Sequence, residues 1–255
     1  MTTTGRPLRF LGLVAVVSVP FFVLGAFGGV PRVGAMQLPV SAVMFVVPVT
    51  VAAVLTWLES GRPAVGALLL RSLPRRGDAL RWNVLAVGLI AAITVLSYLL
   101  LRWAGYHESM PPLSLLAAPA VIVVFLLAAA CEELGWTGYA TDPLQQRWGS
   151  VVTAVGLGVY WAVWHLVPLL QIGHDNWWIA GWFTTTVAVR VLIIWLYNHT
   201  DRVYTAILLH TTVNVTDAYT PGLDRAATAL TTGALTAVVA IAVTTWPLRT
   251  RVARA

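Results

Sequence analysis

Six polar side chains interrupt stretches of this sequence that are otherwise apolar. Glu132 and Glu133 lie in Ala-Ala-Ala-Cys-Glu-Glu-Leu-Gly-Trp, His165 in Tyr-Trp-Ala-Val-Trp-His-Leu-Val-Pro, and His210 with Asn214 in Leu-Leu-His-Thr-Thr-Val-Asn; the sixth is Arg190. Such groups are costly within a bilayer, which makes them functional candidates. His210 and Asn214 are four residues apart and share one helix face. Glu132 and Glu133 are adjacent and diverge by about 100° on a helix, so they cannot face one centre equally. One is free to be catalytic while the other is structural. Two histidines, a carboxylate and an amide from three helices form a water-activating site. A desolvated glutamate suits general-base work near neutral pH, and histidine and asparagine can donate to an oxyanion. Taken singly, each histidine or asparagine is as well explained by an interhelical hydrogen bond of about 0.6–2 kcal/mol. The set, with its paired carboxylate, favours a site. His107, His174 and His199 fall in loops and receive no role.

The elements that carry these residues must be membrane helices. Of the 255 residues 58% are hydrophobic and only 10% charged, with a mean hydropathy of +0.80, far from the roughly 25% charge of soluble domains. Disorder is excluded by the same figures. The single cysteine, Cys131, permits no intramolecular disulfide and says nothing of compartment. Twelve tryptophans suit a chain with rings at the headgroup level. At about 20 apolar residues per crossing, eight spans are predicted: Phe10 to Val30, Leu38 to Leu58, Trp82 to Trp103, Leu113 to Trp136, Val151 to Ile172, Trp177 to Tyr197, Val203 to Tyr219 and Ala226 to Trp246. The seventh is the shortest and most polar. The first is longer than a signal-peptide core and reads as a retained span. The fold class is therefore all-α, a polytopic membrane bundle of about eight helices. Its predicted organisation is N-terminal helices over 1–112, a core over 113–219, and a last helix with a basic tail over 220–255.

All basic residues are arginine. With eight spans, one set of ends holds Arg6, Arg9, Arg62, Arg71, Arg75, Arg76, Arg81, Arg147, Arg202, Arg249, Arg251 and Arg254. The other holds Arg32, Arg102 and Arg225, and Arg190 falls within a span. This asymmetry predicts both termini in the cytoplasm and accounts for the net charge of +6 without nucleic acid as a partner. The segment from Glu59 to Arg76 is too charged to cross. It reads as a basic amphipathic elbow at the inner interface, attracted to anionic lipid by about 1 kcal/mol per arginine, or equally as an ordinary cytoplasmic loop. The absence of lysine points to a GC-rich genome and a bacterial plasma membrane.

The order Glu132-Glu133-Leu-Gly-Trp-Thr-Gly-Tyr, then Trp161-Ala-Val-Trp-His165, then His210-Thr-Thr-Val-Asn214 resembles the CPBP (Abi) intramembrane endopeptidases, relatives of the Ras-converting CAAX prenyl endopeptidase. The resemblance covers about Leu113 to Tyr219. It implies hydrolysis of a peptide bond, near the cytoplasmic face, in a membrane-associated peptide or protein. By the same resemblance Glu132 is the general base, His210 and Asn214 stabilise the oxyanion or hold the water, and His165 orients water or protonates the leaving amine. Glu133 supports them. Trp161 stands where the family usually has phenylalanine.

The family pattern Glu-Glu-x-x-x-Arg is broken at Thr137. A guanidinium there would supply a bidentate carboxylate partner. Arg190 and Arg147 are the available substitutes; Arg190 is favoured because an intramembrane arginine needs a partner, against a reading in which it snorkels to the interface. Depth poses a second question. Glu132 and His210 fall about 9 and 12 Å from the inner ends of their spans, but His165 falls about 22 Å in, unless Gly138 to Gly149 dips inward, the fifth span begins outside the bilayer, or Pro168 bends its helix. No cofactor is expected; zinc on the same histidines and carboxylate is the alternative, although no His-Glu-x-x-His helix is present. Two other function classes stay open: a catalytically impaired scaffold or immunity factor, and a proton-coupled transporter, the latter without the internal repeat that many transporters carry.

Overall fold

The computed structural model describes residues 6–75, 80–107, 109–110 and 113–245. Trp246 and the expected inner-face residues Arg76, Arg249, Arg251 and Arg254 lie outside the described residues. The architecture is an all-α polytopic bundle, as apolar sequence demands when no water is present to satisfy the backbone. Its helices are α1 (Pro7–Phe27), α2 (Val46–Ser60), α3 (Arg62–Leu69), α4 (Leu80–Trp103), α5 (Ala118–Gly135), α6 (Asp142–Trp148), α7 (Ser150–Gln171), α8 (Asn176–Thr200), α9 (Val203–Tyr219) and α10 (Ala226–Thr245). A 3₁₀ segment, Val40–Phe45, leads into α2. Among the described residues, seven helical segments are long and apolar enough to cross a membrane. The remaining expected span, the seventh, is α9, which has 17 residues and reaches about 25 Å at 1.5 Å per residue.

Side-chain contacts sort the helix termini into two ends of the bundle. At one end sits the elbow, α3 followed by a 3₁₀ turn at Leu70–Ser72. There the Arg6 amide donates to the Tyr139 hydroxyl, which donates to Glu59, while Gln145 and Asn198 exchange amide hydrogen bonds. At the far end Ser41 Oγ donates to Gln171, whose amide donates to the Phe22 carbonyl. A hairpin there, β1 (Arg32–Val33) with β2 (Met36–Gln37), turns at Gly34 with φ +61°, where a Cβ would strike the Ala218 carbonyl. The start of α1 and the last turn of α10, whose Thr244 lies with Ser150 and Trp195, share the elbow end. Over the described residues the chain thus runs between the ends eight times.

Helix α8 is the centre of this arrangement. From Ala188 to Asn198 every residue is buried, the signature of a helix enclosed on all sides rather than one with an apolar stripe. It packs against α7, α9 and α10. By contrast α1 and α4 bury only a narrow face, with Val16, Val23, Leu24, Val95 and Leu99 exposed, as lipid-facing helices do.

The expected end of the fourth span is corrected. It does not stop near Trp136: α5 continues through a π-helical segment, Trp136–Thr141, into α6, and the chain turns only at Gly149, with φ +75°. The polar run Thr-Gly-Tyr-Ala-Thr-Asp reads as a helix end, but its side chains are satisfied in place. Thr141 donates to the Trp136 carbonyl, and Asp142 accepts from the Tyr197 hydroxyl. Arg71 of the elbow donates to the Gly138 carbonyl and to the Tyr197 hydroxyl.

Candidate active site

Moving the turn to Gly149 removes the depth discrepancy. Glu132 lies 17 residues before that glycine and His165 lies 16 after it, so the two antiparallel segments bring them to about the same level, roughly 24 Å from the turn. Trp136 accordingly packs against Tyr160 and Trp164, with ring centroids at 5.8 and 5.4 Å. Helix α5 is drawn close to α2 because Gly135 has no side chain; a Cβ there would lie 2.6 Å from Pro48. No dip of Gly138 to Gly149 is needed, and α7 continues through Pro168 to Gln171.

The two carboxylates are buried in different surroundings. Glu132 Oε2 accepts from the indole N–H of Trp161 at 2.7 Å and of Trp136 at 3.3 Å. Its Oε1 accepts from no described residue. Glu133 is wholly enclosed and saturated: Arg190 donates from both terminal nitrogens, at 2.8 and 3.0 Å, Thr137 Oγ1 at 2.5 Å and His210 Nδ1 at 2.9 Å. Such a paired Arg–carboxylate fork fixes both distance and plane. Thus Arg190, fully buried on α8, reaches the glutamate pair; it does not extend to the interface. Arg147 is exposed, beside the Trp148 ring.

His210 therefore meets Glu133 rather than Glu132. Its Nδ1 faces a carboxylate oxygen, which can only accept, so Nδ1 carries a proton and donates. His165 is held the same way: Nδ1 donates to the Trp161 carbonyl at 2.9 Å, among the rings of Trp161, Trp164 and Trp182. The Trp161 ring links the two imidazoles, its centroid 5.7 Å from that of His165 and 5.0 Å from that of His210. Asn214, one turn beyond His210, is half-buried and bonds to no described residue. The arrangement thus offers a carboxylate oxygen, two imidazole nitrogens and a primary amide without partners among the described residues. Among the described residues no three His, Cys, Asp or Glu side chains gather closely enough to hold a metal.

Three contributors were not read as such in the sequence. Trp136 and Thr137 stand four residues after Glu132 and Glu133, a spacing that predicts contact on a helix. Trp161 gave no such signal. It is 5% exposed, its indole holds Glu132, and its ring lies 4.3 Å from the Arg190 guanidinium carbon and 5.0 Å from the His210 ring.

Every one of these residues falls within 112–216, the segment that matches the family model described as Type II CAAX prenyl endopeptidase Rce1-like. This segment is CAAX-protease-like. The chain is also 30% identical, over 105 residues, to CAAX prenyl protease 2 of Methanococcus maripaludis; the match takes in 37% of this chain and 38% of that relative. The chain therefore aligns with well under half of the curated relative's length.

Proposed function

We propose that this protein is an intramembrane endopeptidase that hydrolyses a peptide bond of a membrane-associated peptide or protein, with Glu132 as the general base. One observation carries the reading: of two adjacent buried carboxylates, Glu133 has every oxygen committed, whereas Glu132 is anchored through Oε2 and keeps Oε1 open. A water on Oε1 would lose a proton to Glu132 as it attacks the carbonyl carbon. Asn214 is suited to donate to the oxyanion. His165 and His210, each with Nε2 open, are suited to hold the water and, once protonated, to pass a proton to the leaving amine. The similarity to a CAAX prenyl protease supports the reaction class and makes a prenylated peptide the first substrate to try. The arginine excess at the elbow end supports a cytoplasmic placement for that end and for both termini.

The test is Glu132→Gln in purified protein, using an internally quenched farnesylated peptide that ends in a CAAX sequence. Loss of cleavage with unchanged thermal stability is expected; retained cleavage overturns the assignment. Comparative proteomics of cleaved termini, wild type against Glu132→Gln, covers substrates of other chemistry. The scaffold reading drew its support from Thr137, and Arg190 on Glu133 weakens that support.

A further inference from the structure

Trp161 touches more of the site than any residue yet given a role. Its indole N–H is the shorter of the two donors to Glu132 Oε2, at 2.7 Å against 3.3 Å from Trp136. The face of the same ring carries the Arg190 cation, at 4.3 Å, and Arg190 is the fork that clamps Glu133. Its backbone carbonyl accepts from His165 Nδ1, and its ring packs edge-on against His210. An indole is a donor only, so it can hold a carboxylate without taking its proton. A cation over a desolvated tryptophan face is worth more than an exposed one.

We propose that Trp161 is a positioning residue: its N–H turns Glu132 so that Oε1 faces the reacting water, and its ring locks the Arg190–Glu133 clamp to the same element. This rests on the assignment of Glu132 as general base. A phenyl ring at 161 would keep the cation contact and lose the donor. The two carboxylates would then be fixed independently, and Glu132 would swing on the weaker Trp136 bond.

The experiment has two arms. In ¹⁵N-indole-labelled protein the Trp161 resonance, assigned by its disappearance in Trp161→Phe, should move upfield in Glu132→Gln, since a neutral acceptor replaces a carboxylate. An unmoved resonance overturns the proposal, whatever the substrate. In the second arm, with the farnesylated quenched peptide, Trp161→Phe should lower kcat by about 10–100-fold, the worth of a hydrogen bond to a charged group, with KM little changed. Substituting β-(3-benzothienyl)alanine at 161 keeps the bicyclic ring and replaces N–H by sulfur. It should match Trp161→Phe in kcat at wild-type thermal stability, and it serves equally if the phenylalanine variant does not fold. Wild-type kcat in the sulfur variant overturns the proposal while leaving Glu132 as base intact. Cleavage that survives Glu132→Gln removes the base assignment instead, and the indole resonance still reports whether the hydrogen bond exists.

Discussion

Two regions flank helix α5 where it meets the rest of the bundle, one around Glu132 and one around Glu133. The first is built from neutral donors, two indoles, and leaves one carboxylate oxygen open. The second is built from a guanidinium, a hydroxyl and an imidazole, and leaves none. Adjacent residues of identical chemistry therefore face opposite tasks because about 100° of helix rotation turns them to different neighbours. A carboxylate that must bind and release a proton cannot be saturated by fixed charge. One that must hold three helices in register is best served by it.

Substitutions can break this contrast in graded fashion. Glu132→Gln keeps an oxygen for both indoles and removes only the basic group. Activity should fall by roughly 10²–10⁴-fold, with the unfolding midpoint in detergent unchanged; a large loss of stability would put Glu132 in the structural class. Arg190→Met should do the reverse in emphasis, since stranding Glu133 without its partner costs about 3–5 kcal/mol. Denaturant titration should show that loss, and adding Glu133→Met should recover most of it. Normal activity and stability in Arg190→Met would dissolve the contrast. Thr137→Val removes one hydroxyl from a carboxylate that keeps two other partners, so about 1–2 kcal/mol is expected, with little change in kcat. The smallest effect belongs to Trp136→Phe: its bond to Glu132 is the longer one, and kcat should change less than in Trp161→Phe.

Much of this was legible from spacing alone. The limits of α9 and the shared face of His210 and Asn214 follow from helical periodicity, and the gap at Thr137 pointed to an arginine elsewhere. The end of the fourth span was not legible, because Thr137 to Pro143 has the composition of a loop. Within the helix it is satisfied by Tyr197 and Arg71, which arrive from distant sequence. That single misreading displaced Glu132 in depth relative to His165. Trp161 was hidden for another reason. Periodicity reports which face a residue occupies, and the value of this indole lies in where one N–H points. Nor could the sequence tell which glutamate His210 would meet, since residues 77 apart carry no mutual spacing rule.

The Gly138 carbonyl, which accepts from Arg71, ties a surface element to a buried one. The next residue toward the site is Thr137, bonded to Glu133. Lifting the elbow from the bundle would take Arg71 from both that carbonyl and the Tyr197 hydroxyl, so the elbow is a structural tenon seated in the helix and not an appendage lying beside it.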